Sequence, residues 1–525
     1  MSSQNRGRPL NMLLICTDQE RSWVDLPSAL PLPAHERLLA EGLGFENYHV
    51  NVSPCGPSRS VIYTGQHTQH TGLYVNPNTP PQPELSTDFP TLGDILREQG
   101  YYTAYKGKWH LSNINEGRDF RGTPTGIYPN ASDVLEPYGF SDYSFDGERV
   151  GLAWEGFMED GPIAADAARL LFDLAAGKVE DKPWFLAVNF VNPHDVMFFD
   201  ATGNQHETRA QKDFLAPLLP EPGAAIYQKT WDFPLPESFY HDDLSHKPEC
   251  HRAIRDGQAA MYGVMEHDDE AAWQRFQNYY FNCLRDVDQH VMWLLEVLDM
   301  TGLADRTIVL YTSDHGERAG AHGLKQKAGT MYKEDMKVPL IVRHPDCSGG
   351  RTTPALASAI DLVPTLLALT GTSAAAVAER YPALPGIDLS AVLETPGAQS
   401  ERDRRGILFN YAAQYGWART ADGMDLSKRR AHRGVHDGRY KFARYFAPSQ
   451  HHQPKDWDTL IRYNDLELYD TEADPNEIVN LAHEPERYQQ ELLRLNTMTN
   501  ALIDLEIGAD QGAEYPGPVE QYNTI

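Results

Sequence analysis

Residues 10–17 read LNMLLICT, and Asp18 and Gln19 follow at once. Apart from Asn11 and Thr17 this run is apolar, and a short apolar run is typical of a strand buried on both faces of a parallel sheet. In open α/β sheets, ligands bind beyond the carboxyl ends of the strands. We therefore expect a central strand that ends in two polar side chains facing a ligand site.

Further apolar runs alternate with helical patterns along the chain. We predict strands at residues 101–105, 184–191, 307–312 and 338–342, and helices at residues 92–99, 272–300 and 359–370. Strands that alternate with helices favour a doubly wound α/β sheet. Polar motifs recur where these strands end, which is the arrangement that a catalytic cleft needs.

The length of 525 residues predicts two domains. We expect a catalytic domain over residues 1–400 and a C-terminal α+β domain over 401–525, with a hairpin at 433–446 and a helix at 485–505. Residues 196–270 are rich in proline, acids, histidine and aromatics, and predict a long insertion over the active site. Residues 372–404 have the composition of a linker. Residues 507–525 resemble a tail, and we expect it to contact a neighbouring subunit of a homo-oligomer.

The charge balance restricts the partners. The chain has 46 Lys and Arg against 74 Asp and Glu, a net charge of −28. So acidic a protein is a poor partner for nucleic acid or an anionic membrane. A site for an anionic substrate must therefore gather cationic side chains or a metal locally.

The five cysteines are scattered, with no CxxC pair, which fits a reducing compartment. The first nine residues are polar and the apolar run after them is too short for a signal peptide, and no stretch reaches the length of a membrane span. We expect a cytoplasmic protein.

The strongest local motif begins at Cys55. Residues 55–59 read CGPSR, and Thr64 and Gly65 follow. Alone, this string could be a loop around a buried cysteine. The Cys-x5-Arg loop of cysteine phosphatases would need arginine at position 61, which holds Val61, so that mechanism is excluded.

Two pairs of polar side chains follow the ends of predicted strands. Asp18 and Gln19 form the first pair, and Asp314 and His315 form the second. Carboxylate and amide oxygens suit Ca²⁺ or Mg²⁺, whereas an imidazole leaves Mn²⁺ or Zn²⁺ open. The aspartates could instead cap the helices that follow, but caps do not explain both pairs together. The pattern predicts a metal site.

Three more strings carry cationic or imidazole side chains. Residues 100–110 read GYYTAYKGKWH, residues 322–327 read HGLKQK, and His194 follows Asn192 and Pro193. Each alone could be solvent-exposed charge or a structural histidine. Their recurrence at the ends of predicted strands favours a shared anion site.

Taken in order, these strings resemble the signatures of the type I sulfatases of the alkaline phosphatase-like superfamily. CGPSR is similar to that family's Cys-x-Pro-x-Arg, and GKWH is similar to the end of its second signature. The Asp-Gln and Asp-His pairs resemble the choline sulfatase and phosphonate monoester hydrolase branches. The resemblance implies a doubly wound mixed sheet flanked by helices, with a smaller C-terminal α+β domain.

The resemblance also implies a mechanism and a set of site residues. Cys55 would be oxidised by a separate maturation enzyme to formylglycine, whose hydrate attacks the sulfur of a sulfate ester. One divalent metal is implied, Ca²⁺ before Mn²⁺, with the ligands Asp18, Gln19, Cys55, Asp314 and His315. Catalytic roles fall to Cys55, Arg59, Lys108, His110, His194 and Lys327, and substrate contacts to Asn76, Lys108, His194 and Lys327.

Several alternatives stay open at this point. Lys325 lies close enough to Lys327 to replace it, and either His194 or Lys327 could protonate the leaving alkoxide. The expected substrate is a small aryl or alkyl sulfate. Phosphonate monoester or phosphodiester hydrolysis is the nearest rival, although that branch carries Tyr and Thr where this chain has Lys108 and His110. A non-catalytic anion-binding protein, with Cys55 left as a thiol, is a rival of another class.

Overall fold

The computed structural model of the chain describes residues 9–77, 84–112, 114, 134–143, 149–211, 216–395, 397–412, 419–420, 423–424, 427–450 and 453–510. The strands are β1 (Asn11–Asp18), β2 (Leu43–His49), β3 (Tyr102–Gly107), β4 (Trp184–Pro193), β5 (Thr307–Ser313), β6 (Leu340–Arg343), β7 (Arg351–Ser358), β8 (Ile407–Tyr411), β9 (Arg419–Thr420), β10 (Gly423–Met424), β11 (Ala431–His436), β12 (Tyr440–Phe446) and β13 (Asp465–Asp470).

The helices divide between the two faces of the central sheet and the C-terminal part of the chain. They are α1 (Pro33–Glu41), α2 (Cys55–Thr64), α3 (Thr68–Thr71), α4 (Leu92–Glu98), α5 (Glu155–Ala175), α6 (Gln205–Thr208), α7 (Glu237–His241), α8 (Glu249–Tyr262), α9 (Glu270–Met300), α10 (Lys333–Met336), α11 (Leu362–Leu369), α12 (Ala374–Arg380), α13 (Ser390–Glu394), α14 (Arg402–Arg405), α15 (Trp457–Tyr463) and α16 (Gln489–Glu506).

The central sheet has seven strands in the order β3-β4-β1-β5-β6-β2-β7. The strands β3, β4, β1 and β5 run parallel, whereas β6 is antiparallel to both of its neighbours. A separate antiparallel sheet, in the order β13-β12-β11-β8, lies C-terminal to it. The predicted fold class, a mixed α/β sheet with a smaller C-terminal α+β part, is confirmed.

Strand β1 is buried on both faces, as the apolar run at residues 12–16 predicts. Met12 and Leu14 join one core with residues of α2, α4 and α11, while Leu13 and Ile15 join the other core with residues of α1, α5 and α9. Burial of apolar surface on both sides contributes about 25 cal/mol per Å² and holds the strand rigidly in the middle of the sheet. Asp18, the last residue of this strand, is therefore held in a fixed position.

The predicted hairpin is confirmed by the antiparallel pairing of β11 with β12. Asp437 accepts hydrogen bonds from the backbone N–H groups of Arg439 and Tyr440, and Gly438 has φ +103°. The helix predicted at residues 485–505 begins at Gln489, and it packs its apolar side on this sheet. Of the predicted tail, residues 511–525 lie outside the described residues.

The prediction of a linker over residues 372–404 is wrong. The segment contains α12, α13 and the start of α14, and the Oγ atom of Ser373 caps α12 by accepting from the backbone N–H of Ala376. Two strands of the central sheet, β2 and β7, were not predicted. Strand β7 lies at the edge of the sheet and begins with the polar residues Arg351, Thr352 and Thr353, so it lacks an unbroken apolar run.

A buried charge network joins α16 to the segments around α2 and α11. Arg402 contacts Asp361 with its Nη2 atom 2.7 Å from Oδ1, and Glu506 with its Nη1 atom 2.5 Å from Oε1. The other carboxylate oxygen of Glu506 lies 2.9 Å from Nε2 of His67, just after α2. All four side chains are buried, so α16 is fixed to the helix that begins at Cys55.

Within the described residues, no single helix combines the length and apolar composition needed to cross a membrane. One pair of helices, Ala359–Leu369 with Ala374–Arg380, meets those two criteria only jointly, across a bend of 116°.

Candidate active site

The site is built first from the ends of two neighbouring parallel strands. In the register of β1 with β5, Thr17 faces Ser313, so the residues that follow, Asp18 and Asp314, lie side by side. The backbone N–H of Gln19 donates to Oδ1 of Asp314 at 3.2 Å. Parallel pairing therefore brings together two acidic residues that are far apart in sequence.

Four side chains converge at this edge of the sheet. Asp18, Cys55, Asp314 and His315 each offer one ligand atom, and all four atoms lie within 4.8 Å of one another. Nδ1 of His315 lies 3.0 Å from the carbonyl oxygen of Gly316, which assigns the proton to Nδ1 and turns the Nε2 lone pair toward the cluster. Two carboxylates and one imidazole, all buried, suit a divalent cation.

Gln19 joins the site through its side chain. Its Oε1 atom accepts a hydrogen bond from Nζ of Lys327, and its Nε2 atom donates to Oε2 of Glu317 at 2.5 Å. Glu317 also accepts from the backbone N–H groups of Ala319 and Gln326, at 2.8 Å and 2.6 Å. Glu317 thus orients the Gln19 amide and holds the loop that carries Lys327. Sequence reasoning missed it, although it directly follows the Asp314–Gly316 motif.

Cys55 is the first residue of α2 and is fully buried. Its Sγ atom lies 3.1 Å from Nε2 of His315. Burial and the carboxylate of Asp18 raise the pKa of the thiol, but Lys108, Lys327 and His315 outweigh them, so the net pKa lies below its usual value. The residue therefore lies in a cationic environment at a helix N-terminus, which favours a negatively charged group.

Asn76 lies beside α2, the helix that begins at Cys55. Its Oδ1 atom accepts a hydrogen bond of 2.9 Å from the backbone N–H of Gly56, the residue after Cys55. The structure therefore places Asn76 at the N-terminus of α2, within the site.

Arg59 is completely buried one turn further along α2. Its Nε atom donates to Oδ2 of Asp314 at 2.8 Å, and its Nη2 atom lies 3.4 Å from Oδ2 of Asp18. Its Nη1 atom donates to the Lys108 carbonyl at 2.9 Å and to Oδ1 of Asn189 at 3.1 Å. Each nitrogen of the guanidinium contacts a protein group, so Arg59 holds the two carboxylates together.

Two lysines reach Asp18 from different elements. Nζ of Lys108 lies 2.6 Å from Oδ2 of Asp18 and donates to the carbonyl oxygen of Val150 at 2.9 Å. Burial lowers the pKa of Lys108, but Asp18 and Cys55 outweigh burial and raise it. Nζ of Lys327 lies 3.9 Å from Oδ1 of Asp18. Lys108 and Lys327 therefore provide the local positive charge that an anion site requires in so acidic a protein.

Lys325 points away from the cluster. Its Nζ atom lies 3.8 Å from the sulfur of Met265, and its side chain lines a separate cavity of about 440 Å³. Burial lowers the pKa of Lys325 to about 8. Of the two lysines left open by the sequence, the structure therefore brings Lys327 to the cluster of Asp18, Cys55, Asp314 and His315.

Two histidines lie beside the cluster, and both are buried. Burial lowers the pKa of His110 well below its usual value, and Lys108 lowers it further. Burial lowers the pKa of His194 in the same way, with Lys327 and Lys108 adding to the effect. Both imidazoles are therefore neutral near pH 7, and a neutral imidazole can accept a proton.

The segment 196–270 also contributes to the site. The ring of Tyr262, the last residue of α8, lies 5.9 Å from that of Phe198, which lies 6.3 Å from the ring of His194. Burial raises the pKa of the Tyr262 hydroxyl, and Cys55 raises it further. Sequence reasoning missed Tyr262, because its segment has weak periodicity and no local motif marks it.

Comparison with known proteins gives a family for this site. Residues 11–372 match the family described as Sulfatase, and residues 320–505 match N-sulphoglucosamine sulphohydrolase, C-terminal. The chain is 30% identical over 408 residues to the uncharacterized sulfatase YidJ of Escherichia coli (strain K12), covering 76% of this chain and 74% of that protein. It is 26% identical over 507 residues to the choline-sulfatase of Rhizobium meliloti (strain 1021), covering 91% and 83%.

A solved structure has the same fold. The phosphonate monoester hydrolase SpPMH from Silicibacter pomeroyi superposes with a TM-score of 0.67 at 20% identity, over 95% of this chain and 96% of that one. The Sulfatase match spans well over half of the chain and includes every candidate site residue. The chain therefore belongs to the sulfatase family, within the alkaline phosphatase-like superfamily, and is a sulfuric ester hydrolase.

Proposed function

We propose that the protein hydrolyses a small aryl or alkyl sulfate monoester to an alcohol and inorganic sulfate, with residue 55 as the nucleophile. One observation carries the proposal: the side chain of Cys55 lies within 4.8 Å of Asp18, Asp314 and His315 in a buried cluster. The lysines Lys108 and Lys327 flank that cluster. A nucleophile, a cation-binding set and two ammonium groups thus share one site.

The donor set fits a divalent cation. Asp18, Gln19, Asp314, His315 and the side chain at position 55 would hold the ion, with Ca²⁺ as the proposed metal and Mn²⁺ as the alternative. When present, formylglycine at position 55 supplies a hydrated aldehyde as nucleophile, and the metal lowers the pKa of its hydroxyl and neutralises a sulfate oxygen.

The cationic side chains take separate roles in the proposal. Lys108 and Lys327 stabilise the negative charge that develops on the sulfuryl oxygens, because both ammonium groups lie next to Asp18 in a buried site. Arg59 is a positioning residue, since its guanidinium contacts Asp18 and Asp314. Asn76 is proposed as a substrate contact beside the N-terminus of α2.

Proton transfers fall to the histidines and Lys327. We assign His110 as the base that removes a proton at residue 55, because its low pKa keeps the imidazole unprotonated. His194 would contact a sulfuryl oxygen. Since the pKa of His194 is also low, Lys327 is the better donor to the leaving alkoxide.

A matched assay tests the function and separates its rivals. The peptide that contains Cys55 is weighed by mass spectrometry, and the same sample is assayed with an aryl sulfate and an aryl phosphonate ester in the presence of Ca²⁺ or Mn²⁺. We expect the mass loss of thiol-to-aldehyde conversion and faster turnover of the sulfate. Preference for the phosphonate would assign the protein to the phosphonate hydrolase branch. If Cys55 is still an unmodified thiol after co-expression with a maturation enzyme, the remaining interpretation is a non-catalytic anion-binding protein.

Three further proposals concern the cellular setting. All five cysteines are free, which supports a reducing, cytoplasmic compartment with a formylglycine-generating enzyme as partner. A homo-oligomer is proposed as well. Cell fractionation tests the compartment, and light scattering of the purified protein tests the oligomer.

A further inference from the structure

The beginning of α5 is packed closely against the end of β4, the strand that leads to His194. Asp160 accepts hydrogen bonds from the backbone N–H groups of Val191 and Asn192, at 2.7 Å and 2.9 Å. Asp195 accepts from the backbone N–H groups at the start of α5, residues 156 and 157, both at 2.9 Å. The residues on both sides of His194 are therefore bonded to one helix.

The turn before α5, residues 150–152, contacts two of the proposed substrate-binding side chains. The carbonyl oxygen of Val150 accepts a hydrogen bond of 2.9 Å from Nζ of Lys108. Gly151 packs against the imidazole of His194, so that a Cβ atom added there would lie 2.4 Å from Nδ1. One short turn thus borders both an ammonium group and an imidazole of the site.

Gly151 cannot be replaced without cost at this position. Its φ of +89° lies in the left-handed region, which side chains other than hydrogen rarely adopt. The space that a methyl group would need is already occupied by the His194 ring. Backbone conformation and close approach both require glycine here.

Glu155 closes the turn. Its Oε2 atom accepts hydrogen bonds from the backbone N–H groups of Gly151 and Leu152, the latter at 2.8 Å. Two bonds to one carboxylate oxygen fix the orientation of the peptide groups on either side of Gly151. The carbonyl of Val150 is thereby held toward Lys108.

We infer that the turn at residues 150–152, closed by Glu155, positions Lys108 and His194 jointly for the sulfuryl group. The inference rests on the proposed function. Glu155 and Gly151 act through other side chains and are positioning residues. Loss of the turn frees the Lys108 ammonium from Val150 and lets the His194 ring move, so affinity for the sulfuryl oxygens falls together with turnover.

The test compares two glycine substitutions. Gly177, at the C-terminal end of α5, has φ +67°, and a Cβ atom added there would meet nothing within 4 Å. Gly151→Ala and Gly177→Ala therefore both place an alanine at a positive φ, but only the first meets His194. For each, kcat/KM for an aryl sulfate and the inhibition constant of inorganic sulfate are measured on protein whose aldehyde content is verified. Glu155→Ala is measured in parallel and decides the question if Gly151→Ala does not fold.

We expect Gly151→Ala and Glu155→Ala to lower kcat/KM about 100-fold and to weaken sulfate inhibition about tenfold, because misplacement by about 1 Å costs this much in other enzymes. For Gly177→Ala, we expect both kcat/KM and the inhibition constant of sulfate to equal the wild-type values. If the wild-type protein carries the aldehyde but does not hydrolyse sulfate esters, the proposed function fails. The positioning role is wrong if the wild-type protein is active and Gly151→Ala gives the same values as Gly177→Ala in both measurements. If Gly151→Ala does not fold, Glu155→Ala takes its place in this comparison.

Discussion

Replacing His35 by glutamine tests how a buried ion triad supports the strand end that carries Asp18. His35 lies on α1, with Nε2 2.7 Å from Oε1 of Glu20 and Nδ1 2.7 Å from Oδ1 of Asp288. Burial lowers the pKa of His35, but the two carboxylates outweigh burial and raise it from 6.5 to about 10. The protonated imidazole therefore links α1, α9 and the residue that follows Gln19.

The magnitude follows from the shift in pKa. At roughly 1.4 kcal/mol per pKa unit, the protonated form gains about 5 kcal/mol on folding. Because the folded pKa is raised, this contribution is complete below pH 6.5, the unfolded value, and is lost as pH rises through the folded value of about 10. About 4 kcal/mol remains at pH 7 and about 1 kcal/mol at pH 9.

The assay is the difference in thermal midpoint between His35→Gln and the wild type, measured by circular dichroism at pH 7 and pH 9. We expect the difference in thermal midpoint to be clearly smaller at pH 9 than at pH 7, because the part of the stabilisation that depends on protonation of His35 is mostly lost by pH 9. His436→Gln is the control, because burial lowers the pKa of His436 to about 4 and its charge does not change over this interval. An equal destabilisation by His35→Gln at both pH values would refute the ion triad.

Three other substitutions test the site and its support. Lys327→Met is expected to lower kcat/KM by about 100-fold or more, because a cation next to the reacting group is lost, whereas Lys325→Met, in a separate cavity, stays near the wild-type value. Asp314→Asn should weaken Ca²⁺ binding by calorimetry by at least about tenfold; unchanged affinity would place the ion elsewhere. Arg402→Met should destabilise the fold by about 3–5 kcal/mol, seen as a lower thermal midpoint, because two buried carboxylates lose their partner; an unchanged midpoint would contradict this.

The parts of the fold that the sequence predicts are those decided by local pattern. The cores of β1 and β5, residues 12–16 and 308–311, are apolar because both faces of these strands are buried, and the polar pairs at their ends mark the site. Strand β7 was missed because it lies at the sheet edge and its first residues are polar and partly exposed. The helices within 372–404 were missed because composition, without strong periodicity, suggested a linker.

Side-chain partnerships across the fold could not be predicted in the same way. The resemblance implied a catalytic role for Arg59, but only the folded chain shows its guanidinium between Asp18 and Asp314. The packing of Gly151 on His194 joins distant segments and leaves no periodic signal. A sequence motif identifies residues that can take part in the reaction. The distances between side chains in the folded protein show which residues position the others.

The bond between His67 and Glu506 has a consequence for the order of events during synthesis. The two residues are separated by 439 positions, and His67 follows the helix that begins at Cys55. On the ribosome, the carboxylate of Glu506 is made long after His67. Until α16 has been made, the imidazole of His67 therefore lacks this buried partner. The contact that fixes the segment after α2 can form only late in synthesis, so native packing on this side of the site is completed by a helix distant in the chain.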